Sequence, residues 1–219
     1  IEGQNPWNLF ELTEKLAQKA RIPVPKILVI SSSSPQAIAM GRNWNSATIL
    51  LTDGLLNTLS PQEREAVISY QIACIKKLDT LIFSLTSALT SFIFFMSQLG
   101  DLLLRGVLGS KEDPRSRQNH LISFFVTPFA TGLVRMTIGT RRYLALDTLA
   151  ASWIDDPQYL AQALWKMESY AATKPIDIPP YAAPLFIVNP LTLPGWTRYF
   201  QVHPHIELRI KNIIGYFPI

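Results

Sequence analysis

Apolar and polar residues alternate along the chain in ways that predict three helices. Residues 8–20 carry leucines three or four apart with polar residues between them, which predicts a helix capped by Asn8. Ser60-Pro61-Gln62-Glu63 reads as a capping box with proline at the first helical position, so a second helix is predicted over 61–77. A third helix is predicted over 157–171.

Two short runs of β-type residues, 27–30 and 47–51, are separated by a region rich in serine, glycine and asparagine. Such a pattern predicts a small antiparallel sheet. Residues 175–204 are dense in proline and aromatic side chains, which predicts an irregular strap across the surface. The chain is therefore expected to form one α+β, mostly helical domain over 1–219.

One segment has no charged residue from Thr80 to Gly100. A helix of that length crosses a hydrocarbon core of roughly 30 Å. A second apolar run, 121–134, is shorter, and if it extends to residue 138 it forms the return arm of a membrane-embedded helical hairpin at about 80–138. The alternative is a buried helical hairpin in a soluble protein.

Composition agrees with a membrane segment and narrows the function. Of 219 residues, 48% are hydrophobic and 16% charged, against roughly a quarter charged in ordinary soluble domains. The net charge of +4 is too small and too scattered to indicate a nucleic-acid partner. The single cysteine, Cys74, excludes an intramolecular disulfide and any CxxC motif.

An ordered series of motifs over about residues 9–212 resembles a known family. The series reads ARIPVPKILVI, SPQAIAMGR, ATILLTDGLL, LSPQEREAVISYQIACIKKLDTL, RRYLALDTLAASWIDDPQYLAQALWKM, FIVNPL and VHPHIELRI. It is similar to the HtpX-type membrane zinc metallopeptidases, relatives of the CAAX prenyl proteases. The resemblance implies a gluzincin-like peptidase fold with the membrane hairpin inserted, in a bacterial inner membrane or an organellar membrane such as the thylakoid.

The chain departs from that family at the residues that carry its chemistry. The family binds zinc through the two histidines of HExxH and a downstream glutamate, and the positions that align here are Tyr70, Gln71, Cys74 and Tyr143. Gln71 is an amide and cannot act as the general base. Only Cys74 is a good zinc donor, so we expect no metal ligand set, no cofactor and no catalytic residue.

Two enzymatic alternatives stay open at this point. One is a thiol dyad of Cys74 with His203, which aligns with a family histidine thought to hold the tetrahedral intermediate. The other is a divergent membrane metalloendopeptidase that acts in membrane-protein quality control through an unorthodox site.

The binding frame of the family is retained. The resemblance implies that an edge strand pairs with peptide segments by strand addition, and that Asp79, Asp147 and Arg209 have structural roles in capping and ion pairing. We therefore expect a pseudopeptidase, a binding, assembly or structural subunit whose partners are the lipid bilayer and other membrane proteins, with no nucleic acid. The expected edge consists of Gln36, Ala37, Ile38, Ala39, Met40 and Gly41.

Overall fold

The computed structural model describes residues 7–108, 139–173, 176, 178, 180–189 and 203–216. Within these ranges the protein is mostly helical with one small sheet, which confirms the expected α+β class. The strands are β1 Lys26–Ile30, β2 Ala37–Met40 and β3 Thr48–Thr52, and the helices are α1 Leu9–Ala20, α2 Asp53–Thr58, α3 Pro61–Lys76, α4 Asp79–Leu108, α5 Thr140–Ala151, α6 Gln158–Thr173 and α7 Ile206–Ile214.

The sheet is mixed, so the prediction of an antiparallel sheet was wrong for its first pair. Its strand order is β1-β3-β2, with β1 parallel to β3 and β2 antiparallel to β3. A parallel pair needs a long crossover connection, and here the connection from β1 to β3 contains β2, which lies on the far side of β3. Strand β2 thus lies between the two predicted strands in the sequence, whereas β1 and β3 are direct neighbours in the sheet.

Helix α3 is the centre of the fold. Ser60 and Glu63 form the predicted capping box, in which each side chain accepts from the backbone of the other residue, and Pro61 opens the helix. Every residue from 66 to 75 is buried, including polar ones. A helix buried all round needs cover on every face, and α1, α5, α6 and β2 supply it.

Helix α1 begins as predicted but without the predicted cap. Asn8 occupies the N-cap position with a left-handed backbone (φ 55°) and makes no side-chain hydrogen bond to the helix. Asparagine tolerates this conformation well. The backbone turn, followed by packing of Leu9, Leu16 and Ala17 in the core, fixes the start of the helix instead.

Helix α4 extends beyond Gly100, the last residue of the predicted segment. Its apolar and polar side chains are arranged opposite to those of a helix at the surface of a soluble protein. Of the described residues, only α4 is long and apolar enough to cross a membrane, over Asp79–Leu103, and 33% of its most apolar window is buried. The apolar side chains point outward and the buried ones are largely hydroxyls. The exposed set is Leu81, Leu85, Leu89, Phe92, Phe95, Met96, Leu99, Leu102 and Leu103, and the buried polar set includes Thr80, Thr86, Ser87, Thr90 and Ser97.

The expected second arm of the hairpin, 121–134, lies outside the described residues. The expected strap over 175–204 is described in part. It contains a 3-10 turn, Pro180–Leu185, that packs against α4, followed by an irregular segment at 186–189 that lies against β2.

Candidate functional site

Three helices bring the aligned positions and Arg209 together in the interior. Tyr70 and Cys74 lie one turn apart on α3, and Tyr143 lies near the start of α5. The guanidinium carbon of Arg209, on α7, is 5.1 Å from the Tyr70 ring centroid and 5.8 Å from that of Tyr143. All four side chains are buried. The fold thus converges on one cluster of two phenols, a thiol and a cation.

Arg209 is the most heavily bonded residue of this cluster. Its Nε and Nη2 atoms donate to the two carboxylate oxygens of Asp147 at 2.9 and 2.7 Å, and Nη1 donates to the Ile187 carbonyl at 2.7 Å. Burial alone would lower the pKa of the guanidinium, but the Asp147 carboxylate outweighs it and raises that pKa. Arg209 therefore stays charged, and its hydrogen bonds to Asp147 and Ile187 hold α5 and the 186–189 segment together.

Tyr143 is enclosed by aromatic neighbours. The His203 ring lies 5.2 Å from the Tyr143 ring between centroids, and Phe83 of α4 stacks at 5.9 Å with an interplanar angle of 20°. Such offset pairs stabilise packing beyond area burial. The phenol therefore joins the apolar helix α4 to the interior of the domain.

The zinc ion that the resemblance implies does not fit these residues. Burial raises the pKa of the Tyr70 and Tyr143 phenols and that of the Cys74 thiol, so all three stay protonated near neutral pH. Zinc requires deprotonated sulfur or neutral imidazole and carboxylate donors. Among the described residues no group of three His, Cys, Asp or Glu side chains could hold a metal ion.

Gln71 supplies no base at this position. Its side chain is buried, and its Nε2 atom, like the hydroxyl of Tyr143, has no hydrogen-bond partner within the described part of the chain. These atoms are neutral donors in a low-dielectric interior, where each unmet hydrogen bond costs about 1–3 kcal/mol. The cluster carries neutral, protonated side chains where a zinc site needs thiolate, imidazole or carboxylate ligands.

Electrostatics also opposes the thiol dyad. A thiolate nucleophile needs a lowered thiol pKa beside an imidazole that accepts its proton, whereas burial raises the pKa of Cys74 and lowers that of His203 to about 4. The His203 Nε2 atom is 2.9 Å from the Phe186 carbonyl oxygen, which can only accept, so this nitrogen carries the proton. His203 thus holds the backbone of the 186–189 segment.

The expected peptide-binding edge is β2, and its outer side is already paired. Gln36 exchanges bonds with Thr52 on β3, so the odd-numbered residues of β2 direct their backbone groups outward. The Ala37 carbonyl accepts from the Ile187 amide at 3.3 Å, and Ile38 forms a bridge with Phe186. The protein's own 186–189 segment therefore covers this part of the edge.

The end of the same edge is tied to α4. The Gly41 carbonyl accepts from the Thr80 hydroxyl at 3.0 Å. Gly41 has φ 139° and an added Cβ would lie 2.8 Å from the Ala47 Cα, so only glycine fits here. Asp79, one residue before Thr80, forms an ion pair with Arg142 of α5.

Sequence reasoning missed the partners that close the site. Phe83 and Phe186 are far from Tyr143 and His203 in the chain, and no local pattern links them. The FIVNPL motif did mark the segment that contains Phe186 and Ile187. Its role as the strand that covers β2 depends on tertiary packing alone.

The burial of His203 predicts a pH dependence of stability. An unfolded chain binds a proton on this imidazole below its ordinary pKa of 6.5, whereas the folded protein does so only below about 4. The free energy of unfolding is therefore full above pH 6.5 and falls by up to about 3 kcal/mol as the pH is lowered to 4. Denaturant titration in detergent at several pH values, carried out on the unaltered chain and on His203→Gln, measures the part of this loss of stability that is due to His203. Equal slopes for the two proteins would contradict it.

Comparison with known proteins identifies the family. Residues 4–216 match peptidase family M48. The chain is 31% identical to a protease HtpX homolog of Desulfatibacillum aliphaticivorans, covering 96% of this chain and 69% of the relative. Homologs of the same name in Syntrophobacter fumaroxidans and Thermococcus sibiricus are each 32% identical, covering 94% and 97% of this chain and 74% and 75% of the relative. The chain is thus an HtpX-type member of peptidase family M48.

Proposed function

We propose that this protein is a catalytically inactive HtpX-type pseudopeptidase that serves as an assembly or structural subunit of a membrane protein complex. The observation that carries the proposal is the cluster of Tyr70, Cys74, Tyr143 and Arg209. Two protonated phenols and a protonated thiol occupy the positions that the resemblance assigns to zinc ligands, and the paired guanidinium of Arg209 lies against the two phenol rings. A catalytic zinc needs three protein ligands and an open position, and this donor set offers neither.

Membrane insertion is part of the proposal, and the inverted side chains of α4 support it. A core helix of a soluble protein buries its apolar face, whereas α4 exposes Leu85, Phe92, Phe95 and Leu102 by 59–65%. Five of its hydroxyl side chains are buried, and among them Thr90 donates to the Thr86 carbonyl at 2.7 Å. Lipid solvates apolar side chains and leaves polar ones to the protein interior, so α4 is proposed to face the bilayer.

The self-paired edge favours assembly over peptide capture. A peptide that added to β2 would have to displace Phe186 and Ile187, which are buried and held by His203 and Arg209. Displacement would break one backbone–backbone hydrogen bond and the two bonds from His203 and Arg209 to backbone carbonyls before any new bond formed. We therefore place the partner surface outside β2.

The competing proposal is a divergent metalloendopeptidase in membrane-protein quality control. Its support is the family itself, since the relatives are named as proteases. It requires a nucleophile or a metal that the described residues at this site do not form. Zinc content separates the two proposals.

A disulfide across the covered edge tests where the partner binds. Ile38 and Phe186 face each other as a non-hydrogen-bonded antiparallel pair, the pairing in which Cβ atoms are closest and disulfides form readily. We expect Ile38→Cys with Phe186→Cys to oxidise spontaneously and to retain the proteins that co-purify with the unaltered chain from its native membrane.

The same double variant kept in reductant is the matched control, because it has the same truncated side chains without the lock. Retention that is lost only in the oxidised form would mean that partners use the β2 edge. Such a result would replace the assembly proposal by peptide capture.

A further inference from the structure

The fold gathers basic side chains at the end of the domain from which α4 emerges. The turn between β2 and β3 contacts the base of α4, where Thr80 donates to the Gly41 carbonyl at 3.0 Å. In the same turn, the Trp44 ring lies 5.0 Å from the Lys76 ammonium. The Asp79–Arg142 ion pair brings the start of α5 to the same place. Segments distant in sequence therefore form one face.

Strand β1 adds a further cation to this face. The Lys26 amide donates to the Ala47 carbonyl at 3.0 Å, and Lys26 pairs with Thr48 in the sheet register. The basic residues of this face thus come from four parts of the chain, which are strand β1, the turn after β2, the end of α3 and the start of α5. We name it the basal face, and its cations are Lys26, Arg42, Lys76, Lys77, Arg141 and Arg142.

The basal face has no exposed carboxylate among the residues that build it. Residues 21–30, 40–48, 72–78 and 139–146 contain no Asp or Glu. Asp79 is 2% exposed and paired with Arg142, and Asp147 is fully buried and paired with Arg209. Among the described residues, the ion pair of Arg142 with Asp79 is therefore the one found for these cations.

The position of this face relative to the apolar surface of α4 is the second observation. Lys77 is followed at once by Leu78 and then by Leu81, exposed by 40% and 38%, where the outward apolar surface begins. At 1.5 Å per helical residue, α4 passes from its start at Asp79 to Leu85 within about 9 Å, roughly the depth of a headgroup layer. Trp44, 41% exposed beside Lys76, has the amphipathic ring found at membrane interfaces.

We propose that the basal face binds the headgroups of anionic phospholipids and sets the depth of the domain on the membrane. The inference rests on the proposed insertion of α4. Basic residues next to a membrane helix attract acidic lipids additively, and the segments that build the face contain no exposed carboxylate to oppose that attraction. Zwitterionic headgroups carry no net charge and gain little from the same face.

Native mass spectrometry of the full chain in detergent tests the proposal, with phosphatidylglycerol and phosphatidylcholine offered in equal amounts. We expect about tenfold preferential retention of phosphatidylglycerol, falling to about twofold or less in Arg42→Gln with Lys77→Gln and Arg141→Gln. Lys76 and Arg142 stay unchanged because they hold Trp44 and Asp79.

The matched control removes three cations elsewhere, Lys15→Gln with Lys19→Gln and Arg64→Gln, the last in the first turn of α3, where its Nε atom donates to the Leu59 carbonyl. Lys15 pairs with Glu65 near the far end of α3, and Lys19 bonds the Trp153 carbonyl beyond the far end of α5. The control is expected to keep the preference. Equal loss in both triple variants, or no preference in the unaltered chain, would overturn the proposal.

Two further arms separate the sources of failure. Displacement of phosphatidylglycerol by an equal concentration of glycerol phosphate would show a free-phosphate site and overturn the assignment to lipid. Alkaline carbonate washing of phosphatidylcholine vesicles tests insertion independently of lipid charge. If the chain stays in these vesicles but shows no preference for phosphatidylglycerol, the lipid-binding role of the basal face is refuted and the insertion of α4 stands. If the chain is extracted, the insertion of α4 is refuted as well.

Discussion

Replacing Arg209 with methionine is expected to lower the free energy of unfolding by about 3–5 kcal/mol, because it leaves the Asp147 carboxylate charged and unpaired in the interior. Both side chains are at most 2% exposed and share two hydrogen bonds. The same change frees the Ile187 carbonyl, which Arg209 also binds. Domains are stable by only about 5–15 kcal/mol, so this single change removes a large part of the stability.

Denaturant titration in detergent measures this effect, with Lys211→Met as a control on the same helix. Lys211 is exposed, and its replacement is expected to change the free energy of unfolding by about 0.5 kcal/mol or less. Where Arg209→Met does not fold, Asp147→Leu with Arg209→Met removes both charges and is expected to recover most of the loss. A cost below about 1 kcal/mol for Arg209→Met alone would show that the pair does not hold the site.

Restoring the family's zinc ligands is expected to create a metal site at the cluster of Tyr70, Cys74 and Tyr143. Tyr70→His, Gln71→Glu, Cys74→His and Tyr143→Glu place two imidazoles one helical turn apart on α3 and a carboxylate on α5. Spacing of four residues puts both imidazoles on one helix face. We expect stoichiometric zinc with a dissociation constant of about 1 μM or tighter.

The control retains Tyr143 and restores only the α3 residues, so it lacks the third ligand. We expect it to bind zinc at least about a hundredfold more weakly, since one ligand of three is missing. Calorimetric titration with zinc compares the two proteins. A folded quadruple variant that binds no zinc would mean that Arg209 and the aromatic rings have repacked the cluster beyond recovery.

Local signals in the sequence predicted local structure well. The capping box at Ser60 and Glu63 defines the start of α3, and the uncharged stretch identified α4, because both depend on residues adjacent in the chain. Asn8 shows the limit of such signals. It lies where a cap was expected, yet its backbone is left-handed and its side chain makes no capping bond.

Features that depend on distant residues could not be read from the sequence. The parallel pairing of β1 with β3 depends on where β2 lies, and the alternation of side chains is the same in both kinds of sheet. At the site, the alignment with the family's motifs indicated that Tyr70, Cys74 and Tyr143 belong to one site. The covering of β2 by Phe186 follows from three-dimensional packing, and it changes the edge from an open surface to a paired one.

The outward apolar face of α4 likewise could not be predicted from the sequence and is seen only in the structure. Composition left a choice between a membrane helix and a buried helix of a soluble protein. The exposed leucines and phenylalanines, opposite buried hydroxyls, favour the bilayer because water would not solvate such a surface. The Asp79–Arg142 pair and the Thr80–Gly41 bond then fix this helix to the domain.

The zinc content of the unaltered protein tests the central claim most directly. The protein would be purified in detergent without chelators, and its metals counted by mass spectrometry against protein concentration. Protonated Tyr70, Tyr143 and Cys74 predict zinc well below one ion per chain. One zinc ion per chain would contradict the account and would identify a metal site that includes other residues.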